Sequence, residues 1–535
     1  MNGNWLARYL DTKAGRPARG LVAAVVIGLG VTLGQASRAA AQPSRGPVNV
    51  LLIAADDLGI QLPGYGDSTA ATPNLDRLAA TGVLFRTVYA AQASCSPSRS
   101  SVFTGLFPHR NGQYGLTDAG FSIHPQFVER ILTRVLKRAG YRTGLIGKLH
   151  VAPDSAFGFD WRPSVDTRRV RDVAAEADRF FQAADPRPFF LMVSFKDPHA
   201  ADDARLRRTD GFPIQIDGLP TTPLQPTDAM VLPFQGIVAP AQRRRVANYY
   251  NSILRVDTGV GLLLERLNRH GGANHTLVIF IGDHGPPFVR AKTTTYEAGV
   301  RIPMIIRWPE VGRPGVSTAL ASTVDIYPTI LDAAGLPLPD DLHGRSLRSV
   351  LADPNSAWRE YLPTEFHLHH PGSVFPSRAI RNQRYKLIVN LLSGRAEPTR
   401  RIDGDRAYRE SRAARYRGTP VRHAFDVFAD PPAVELYDLE RDPAEFFNLA
   451  GRPDYRAVQD ELTRALTTWR VETEDPFLDS AFTDRFASRN QPRSNRGIIG
   501  LVIAATAAMA LAWGIRRHRR IGNPPASGAL PQDLG

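Results

Sequence analysis

The chain predicts an α/β fold: a large mixed, mostly parallel sheet sandwiched by helices, followed by a smaller C-terminal α+β domain built on an antiparallel sheet. Two observations carry this. Four nearly continuous apolar runs each end in a polar cluster, and amphipathic stretches lie between them. Past about residue 360 the texture turns polar, basic and aromatic, with only short apolar runs. Strands buried on both faces read as unbroken apolar runs, and strands alternating with helices build a parallel sheet.

Residues 48–55 (VNVLLIAA) form the first run and end in Asp56-Asp57. Residues 141–146 lead into Gly147-Lys148-Leu149-His150, and residues 188–195 into Lys196-Asp197-Pro198-His199. Residues 276–281 (TLVIFI) lead into Gly282-Asp283-His284-Gly285. Residues 127–139, 169–184 and 243–268 carry the helical pattern. Sites in open α/β sheets lie beyond the carboxyl ends of the strands, so the four polar clusters are predicted to meet. The larger domain is read as 46–365 and the smaller as 366–480. Within the smaller one, residues 385–391 and 434–439 are read as strands and 455–469 as a helix. Residues 401–422 are read as an exposed arginine-rich stretch, and 481–496 as a linker.

Both ends are read as membrane-related. Residues 1–41 have a basic start with Arg8, Lys13, Arg16 and Arg19, a short apolar run over 21–34 and the small-residue exit Ala39-Ala40-Ala41. That is the pattern of a secretory signal peptide. Residues 497–515 are apolar and uncharged, long enough for a transmembrane helix, and Arg516, Arg517, Arg519 and Arg520 follow. Positive charge on that side predicts a cytoplasmic tail over 516–535, with the body exported to the periplasm or cell surface. Of the formal charge of +14, the two ends carry +4 and +3, which leaves +7 on the body. A modest positive charge suits an anionic substrate. Nucleic acid is excluded as a partner, because no Lys/Arg stripe interleaved with aromatics is present.

Cys95 is the chain's one cysteine, so an internal disulfide is excluded. It opens the run Cys95-Ser96-Pro97-Ser98-Arg99, with Thr104-Gly105 beyond. Asp56, Asp57 and Asp283 offer three carboxylates for a divalent cation, which points to calcium; the imidazole of His284 beside them keeps zinc open. Neighbouring residues of a strand point to opposite faces, so Asp56 and Asp57 can share one ion only if the chain turns there, and Leu58-Gly59 permits it.

The C-x-P-x-R run at Cys95 closely resembles the signal that directs oxidation of cysteine to formylglycine in sulfatases. Asp56-Asp57, Gly147-Lys148-Leu149-His150, Pro198-His199, Asp283-His284-Gly285 and Lys292 follow the sulfatase order over most of residues 48–480. Within that alkaline-phosphatase-like superfamily the stretches TGLIGKLHVAP, PFFLMVSFKDPH, DHGPPF, ELYDLERDPAEFFNLA and WRVETEDPF are similar to heparan N-sulfatases (sulfamidases). Two features differ: sulfamidases carry asparagine at the place of His284, and TTTYEAGVRIPMIIRWP looks like general sulfatases.

The resemblance implies a mechanism. Cys95, converted by a formylglycine-generating enzyme, becomes an aldehyde hydrate beside a metal held by Asp56, Asp57, Asp283, His284 and residue 95 itself. One hydroxyl, deprotonated by Asp283, attacks sulfur. Lys148 and Lys292 hold the sulfuryl charge, His199 or Lys292 protonates the leaving atom, and His150 takes the second hydroxyl's proton to expel sulfate. Arg99 holds the start of the nucleophile's helix. The substrate class is a sulfated glycan or small sulfated compound, as sulfate ester or N-sulfate. The alternatives are a phosphonate monoester or phosphodiester hydrolase of the same superfamily, and a non-catalytic, membrane-anchored glycan-binding protein. His367, His369 and His370 are candidate sugar contacts.

Overall fold

The computed structural model describes residues 48–201 and 211–491. Eight strands form the large sheet: β1 (Asn49–Ala55), β2 (Val83–Tyr89), β3 (Arg142–Gly147), β4 (Phe189–Phe195), β5 (Thr276–Gly282), β6 (Arg301–Arg307), β7 (Gly315–Ser317) and β8 (Ala321–Ser322). Their order is β3-β4-β1-β5-β6-β2-β7, with β8 also paired to β2. The four apolar runs are therefore four adjacent strands, β3, β4, β1 and β5, and all their pairings are parallel. Only β6 runs against its neighbours.

Alternation explains why these runs look unbroken. Val50, Leu52 and Ala54 of β1 enter one core and Leu51, Ile53 and Ala55 the other. The first core is closed by helices Cys95–Thr104, Leu132–Arg138 and Ile326–Ala333, the second by Pro73–Ala80, Val170–Gln182 and Pro240–Arg269. With both faces covered, the strand interiors are almost wholly apolar and the charged residues of the site come only beyond the strand ends. The helix expected over 127–139 is broken in two, a 3-10 turn at Pro125–Arg130 and a helix at Leu132–Arg138, because Ile131 between them is extended at ψ 130°.

Four more strands, β9 (Leu362–Phe366), β10 (Ser377–Arg381), β11 (Tyr385–Asn390) and β12 (Val434–Asp438), make an antiparallel sheet in the order β12-β11-β10-β9. Helix Arg456–Glu472 covers one face through Leu462, Leu466 and Trp469, and helix Pro420–Ala429 covers the other through Phe425 and Phe428. Gln92 bridges to Glu365, and Arg381 ion-pairs with Glu297 at 2.8 Å, so the small sheet is fastened to loops of the large one.

Two expectations need correcting. The stretch 401–422 is not simply exposed: Ile402, Ala407 and Tyr416 are buried against the small sheet. Residues 481–496 do not begin as a linker, for Ser480–Asn490 is a helix whose start is capped by the Asp479 carboxylate accepting from Ala481 N–H. Its Phe486 meets Tyr114 and Phe477 with ring centroids 5.4 and 5.0 Å away. Among the described residues no helix is long and apolar enough to cross a membrane; the signal peptide, the apolar run 497–515 and the tail lie outside them. Phe486→Ala should cost about 3 kcal/mol of unfolding free energy in urea, as for other buried phenylalanines. A loss under about 1 kcal/mol would mean the helix is not packed as described.

Candidate active site

The strand order brings the polar clusters together. Lys148 and His150 follow β3, His199 follows β4, Asp56 and Asp57 follow β1, and Asp283 and His284 follow β5. The turn that lets both adjacent aspartates serve one site comes a residue earlier than Leu58-Gly59: Asp57 itself has φ 64°. β5 must end in glycine, since a Cβ on Gly282 would lie 2.1 Å from the Leu58 carbonyl oxygen. Helix Cys95–Thr104 points its N-terminus into this place, and all ten of its residues are buried.

Arg99, one turn along that helix, is bonded to all four strand ends. Its Nε donates to Asp283 Oδ2 at 2.9 Å and Nη2 to Asp56 Oδ1 at 3.2 Å. Its Nη1 donates to the Lys148 carbonyl at 2.9 Å and to Ser194 Oγ at 2.7 Å. Ser98 Oγ donates to the Asp283 carbonyl. The cationic side chains complete the ring: Lys148 Nζ donates to Asp56 Oδ2 at 2.7 Å, and Lys292 Nζ to Asp57 Oδ2 at 3.0 Å. His199 Nε2 lies 3.9 Å from that same Asp57 oxygen. His150 lines the same cleft of about 750 Å³, which Cys95 and Asp56 also line, and its Nδ1 is buried without a hydrogen-bond partner among the described residues.

Burial raises every one of these carboxylates, and neighbouring charge decides which stay low. At Asp56, Lys148 and Arg99 outweigh burial and hold the carboxyl well below its usual range. Asp57 is pushed up to about 6 by burial despite Lys292, and Asp283 to about 6 by burial and the Asp56 charge. Burial would lower His284, but Asp283, Cys95 and Asp57 raise it to about 9. Burial likewise opposes ionisation of Cys95, yet Lys148 and Lys292 bring its thiol well below the ordinary value.

These residues fit a divalent cation. One oxygen from each of Asp56, Asp57 and Asp283 comes within 4.8 Å of the others, and so do Cys95, Asp283 and His284. Asp57 Oδ1 is buried and accepts no hydrogen bond among the described residues. His284 Nδ1 lies 2.9 Å from the Gly285 carbonyl, to which an Nδ1–H can donate. Nε2 then faces Asp57 Oδ1 at 3.1 Å and Cys95 Sγ at 3.2 Å; it carries a proton toward them while the imidazole is cationic, and losing that proton would give the tautomer a metal-binding imidazole adopts.

Of the three histidines near the domain junction, His369 and His370 line the cleft, His369 bonded to Ser94 Oγ at 2.8 Å. His367 does not; it is buried against Gln92 and stacked on Phe477. Sequence reasoning missed two participants. Ser194 is hidden within the apolar run of β4, and Asp403 sits in the arginine-rich tract. Lys292 Nζ donates to Asp403 Oδ2 at 2.9 Å. The turn pair Asp403-Gly404 was the only local signal for it.

A family model described as Sulfatase matches residues 48–336, and one described as N-sulphoglucosamine sulphohydrolase, C-terminal, matches residues 282–395. N-sulphoglucosamine sulphohydrolase of Homo sapiens is 34% identical over 486 residues, 84% of this chain and 95% of that protein. A solved structure described as a complex with the substrate D-glucosamine-2-N,6-O-disulfate superposes with a TM-score of 0.58 at 22% identity, over 80% of this chain and 98% of that one. The phosphonate monoester hydrolase of Agrobacterium radiobacter superposes at 0.60 and 21% identity, over 80% of this chain and 96% of that one. At such identities the two superpositions speak to the shared fold alone. The sequence matches carry the assignment: the chain belongs to the sulfatase family.

Proposed function

We propose that this protein is an exported sulfatase that hydrolyses sulfate groups of sulfated glycans, N-sulfated glucosamine included, with formylglycine at position 95 and a calcium ion. One observation carries the reading: Cys95 stands at a helix N-terminus among three carboxylates, an imidazole and two lysines, with Lys148 paired to Asp56 and Lys292 to Asp57. The likeness of the human relative, named for N-sulphoglucosamine, supports the glycan class. The domains would be a catalytic part over 46–365 and a smaller part over 366–480, with export and anchoring by the two terminal segments.

Asp56, Asp57, Asp283, His284 and residue 95 would hold the cation, which when bound supplies positive charge for the sulfuryl oxygens and acidifies the nucleophile. The chain supplies the rest. Lys148 and Lys292 are fixed by Asp56 and Asp57, so their charge is in place before the sulfuryl group develops its own. Asp283 accepts the proton of the attacking hydroxyl. His199, which lines the cleft with Nε2 3.9 Å from the Asp57 oxygen that holds Lys292, gives a proton to the leaving oxygen or nitrogen. His150 lines the cleft, its buried Nδ1 without a partner among the described residues, and takes the proton that releases sulfate and restores the aldehyde. Arg99 is buried and acts by holding Asp56 and Asp283 in position.

Sulfate release from N-sulfated and 6-O-sulfated glucosamine by the purified protein tests the activity. Cys95→Ala should lower that release by at least a thousandfold with an unchanged melting temperature; retained turnover would refute the role of position 95. Asp57→Asn should lower the metal content of the purified protein, measured by elemental analysis. Asp57 and Asp283 near 6 bind protons more tightly folded than unfolded. The stripped protein therefore gains stability from them at low pH and loses it as pH rises through about 6. A cation needs both ionised, so its binding weakens as pH falls through the same window. Added calcium should raise the melting temperature of stripped protein at pH 7.5, and by much less at pH 5. An equal shift at both would contradict this site.

A further inference from the structure

Three acidic residues line the cleft from outside the cation cluster beside Cys95, namely Asp118, Asp166 and Asp403, and of these Asp403 accepts from Lys292. It arrives from the smaller domain, on the turn Ile402-Asp403-Gly404, and lines both the cleft and an adjoining cavity of about 610 Å³. Its backbone is held in the left-handed region, φ 49°, and its carbonyl accepts from Arg245 Nη2 at 2.8 Å. A non-glycine residue kept there against its preference is held by its surroundings. Lys292 Nζ bridges it to Asp57: 2.9 Å to Asp403 Oδ2 and 3.0 Å to Asp57 Oδ2. Its second oxygen, Oδ1, accepts no hydrogen bond from any described residue, and its side chain is 20% exposed.

A carboxylate oxygen open to a cleft lined by Lys148, Lys196, His199 and His369 repels sulfate and attracts hydrogen-bond donors. Sulfamates and sulfate esters differ at this point. When an S–N bond breaks, its electron pair stays on nitrogen; one proton gives the amine, and a second from water gives a cationic ammonium near neutral pH. When an S–O bond breaks, one proton gives a neutral alcohol. The sulfamate also carries an N–H donor from the start, where the ester oxygen has none.

Building on the sulfatase reading above, we propose that Asp403 is a specificity-determining residue that selects N-sulfated amino sugars: its open oxygen accepts from the sulfamate N–H and then pairs with the ammonium left behind. Lys292 keeps the carboxylate in position at the edge of the leaving side, which His199 shares through Asp57.

The test uses the full-length, calcium-loaded protein, with kcat and KM measured on N-sulfoglucosamine and on glucosamine 6-O-sulfate. In Asp403→Asn the ratio of kcat/KM between the two should fall about 10- to 100-fold, as for loss of a hydrogen bond to a charged group. An unchanged ratio overturns the proposal, whether both activities fall together through Lys292 or neither does. A second measurement needs no variant: glucosamine should inhibit the wild-type protein at least tenfold more strongly than glucose at pH 6.5, and equal inhibition overturns the proposal too. Wild-type release of sulfate from the 6-O-sulfate alone sinks the Asp403 assignment and leaves the sulfatase reading standing. Release from neither sugar, nor from an aryl sulfate, sinks that reading itself.

Discussion

The guanidinium of Arg99 is the joint on which the site is assembled. Four parallel strands deliver their carboxyl ends side by side, but nothing in a sheet sets how far the loops beyond it stray. Arg99 does so from a single buried point, with bonds to Asp283, Asp56, Ser194 and the Lys148 carbonyl. Because it lies on the same helix as Cys95, the nucleophile's position is referred directly to the strand ends. A planar, permanently charged fork with several donors is suited to this, and a lysine could not make the same set of bonds.

That arrangement places like charges close together, and the fold answers with cations in matched positions. Asp56 has Arg99 and Lys148 and stays ionised; Asp57 and Asp283 have less than they need. The deficit is local, and a divalent ion at the Asp57 oxygen that accepts no hydrogen bond would close it. Structure and chemistry thus make the same demand: the geometry that would hold the ion is one the protein sustains poorly alone.

How much of this could be read from the chain depends on where each residue's partners lie. The strands were legible because burial on both faces writes an uninterrupted apolar run, and the strand-end residues follow by position. Asp56 and Asp57 were legible as a pair, but the turn that joins them was misplaced by a residue, since a positive φ at an aspartate leaves no mark in composition. Asp403 was not legible. Its role comes from a contact 111 residues away with Lys292, and its neighbours Arg401 and Arg406 look like solvated surface. Helix Ser480–Asn490 was missed for a related reason: its apolar side is little more than Phe482 and Phe486, and tertiary contacts with Phe477 and Tyr114 hold it in place.

The side chain at position 95 is 1% exposed, at the bottom of the cleft between the helix N-terminus and the strand ends. No second enzyme could fit its own catalytic groups around such an atom without prying apart the sheet's edge. Any covalent conversion of this thiol therefore belongs to the chain's early life, while residues 95–99 are still extended and reachable. Timing, as well as chemistry, would then decide which molecules mature competent and which close around an unconverted sulfur.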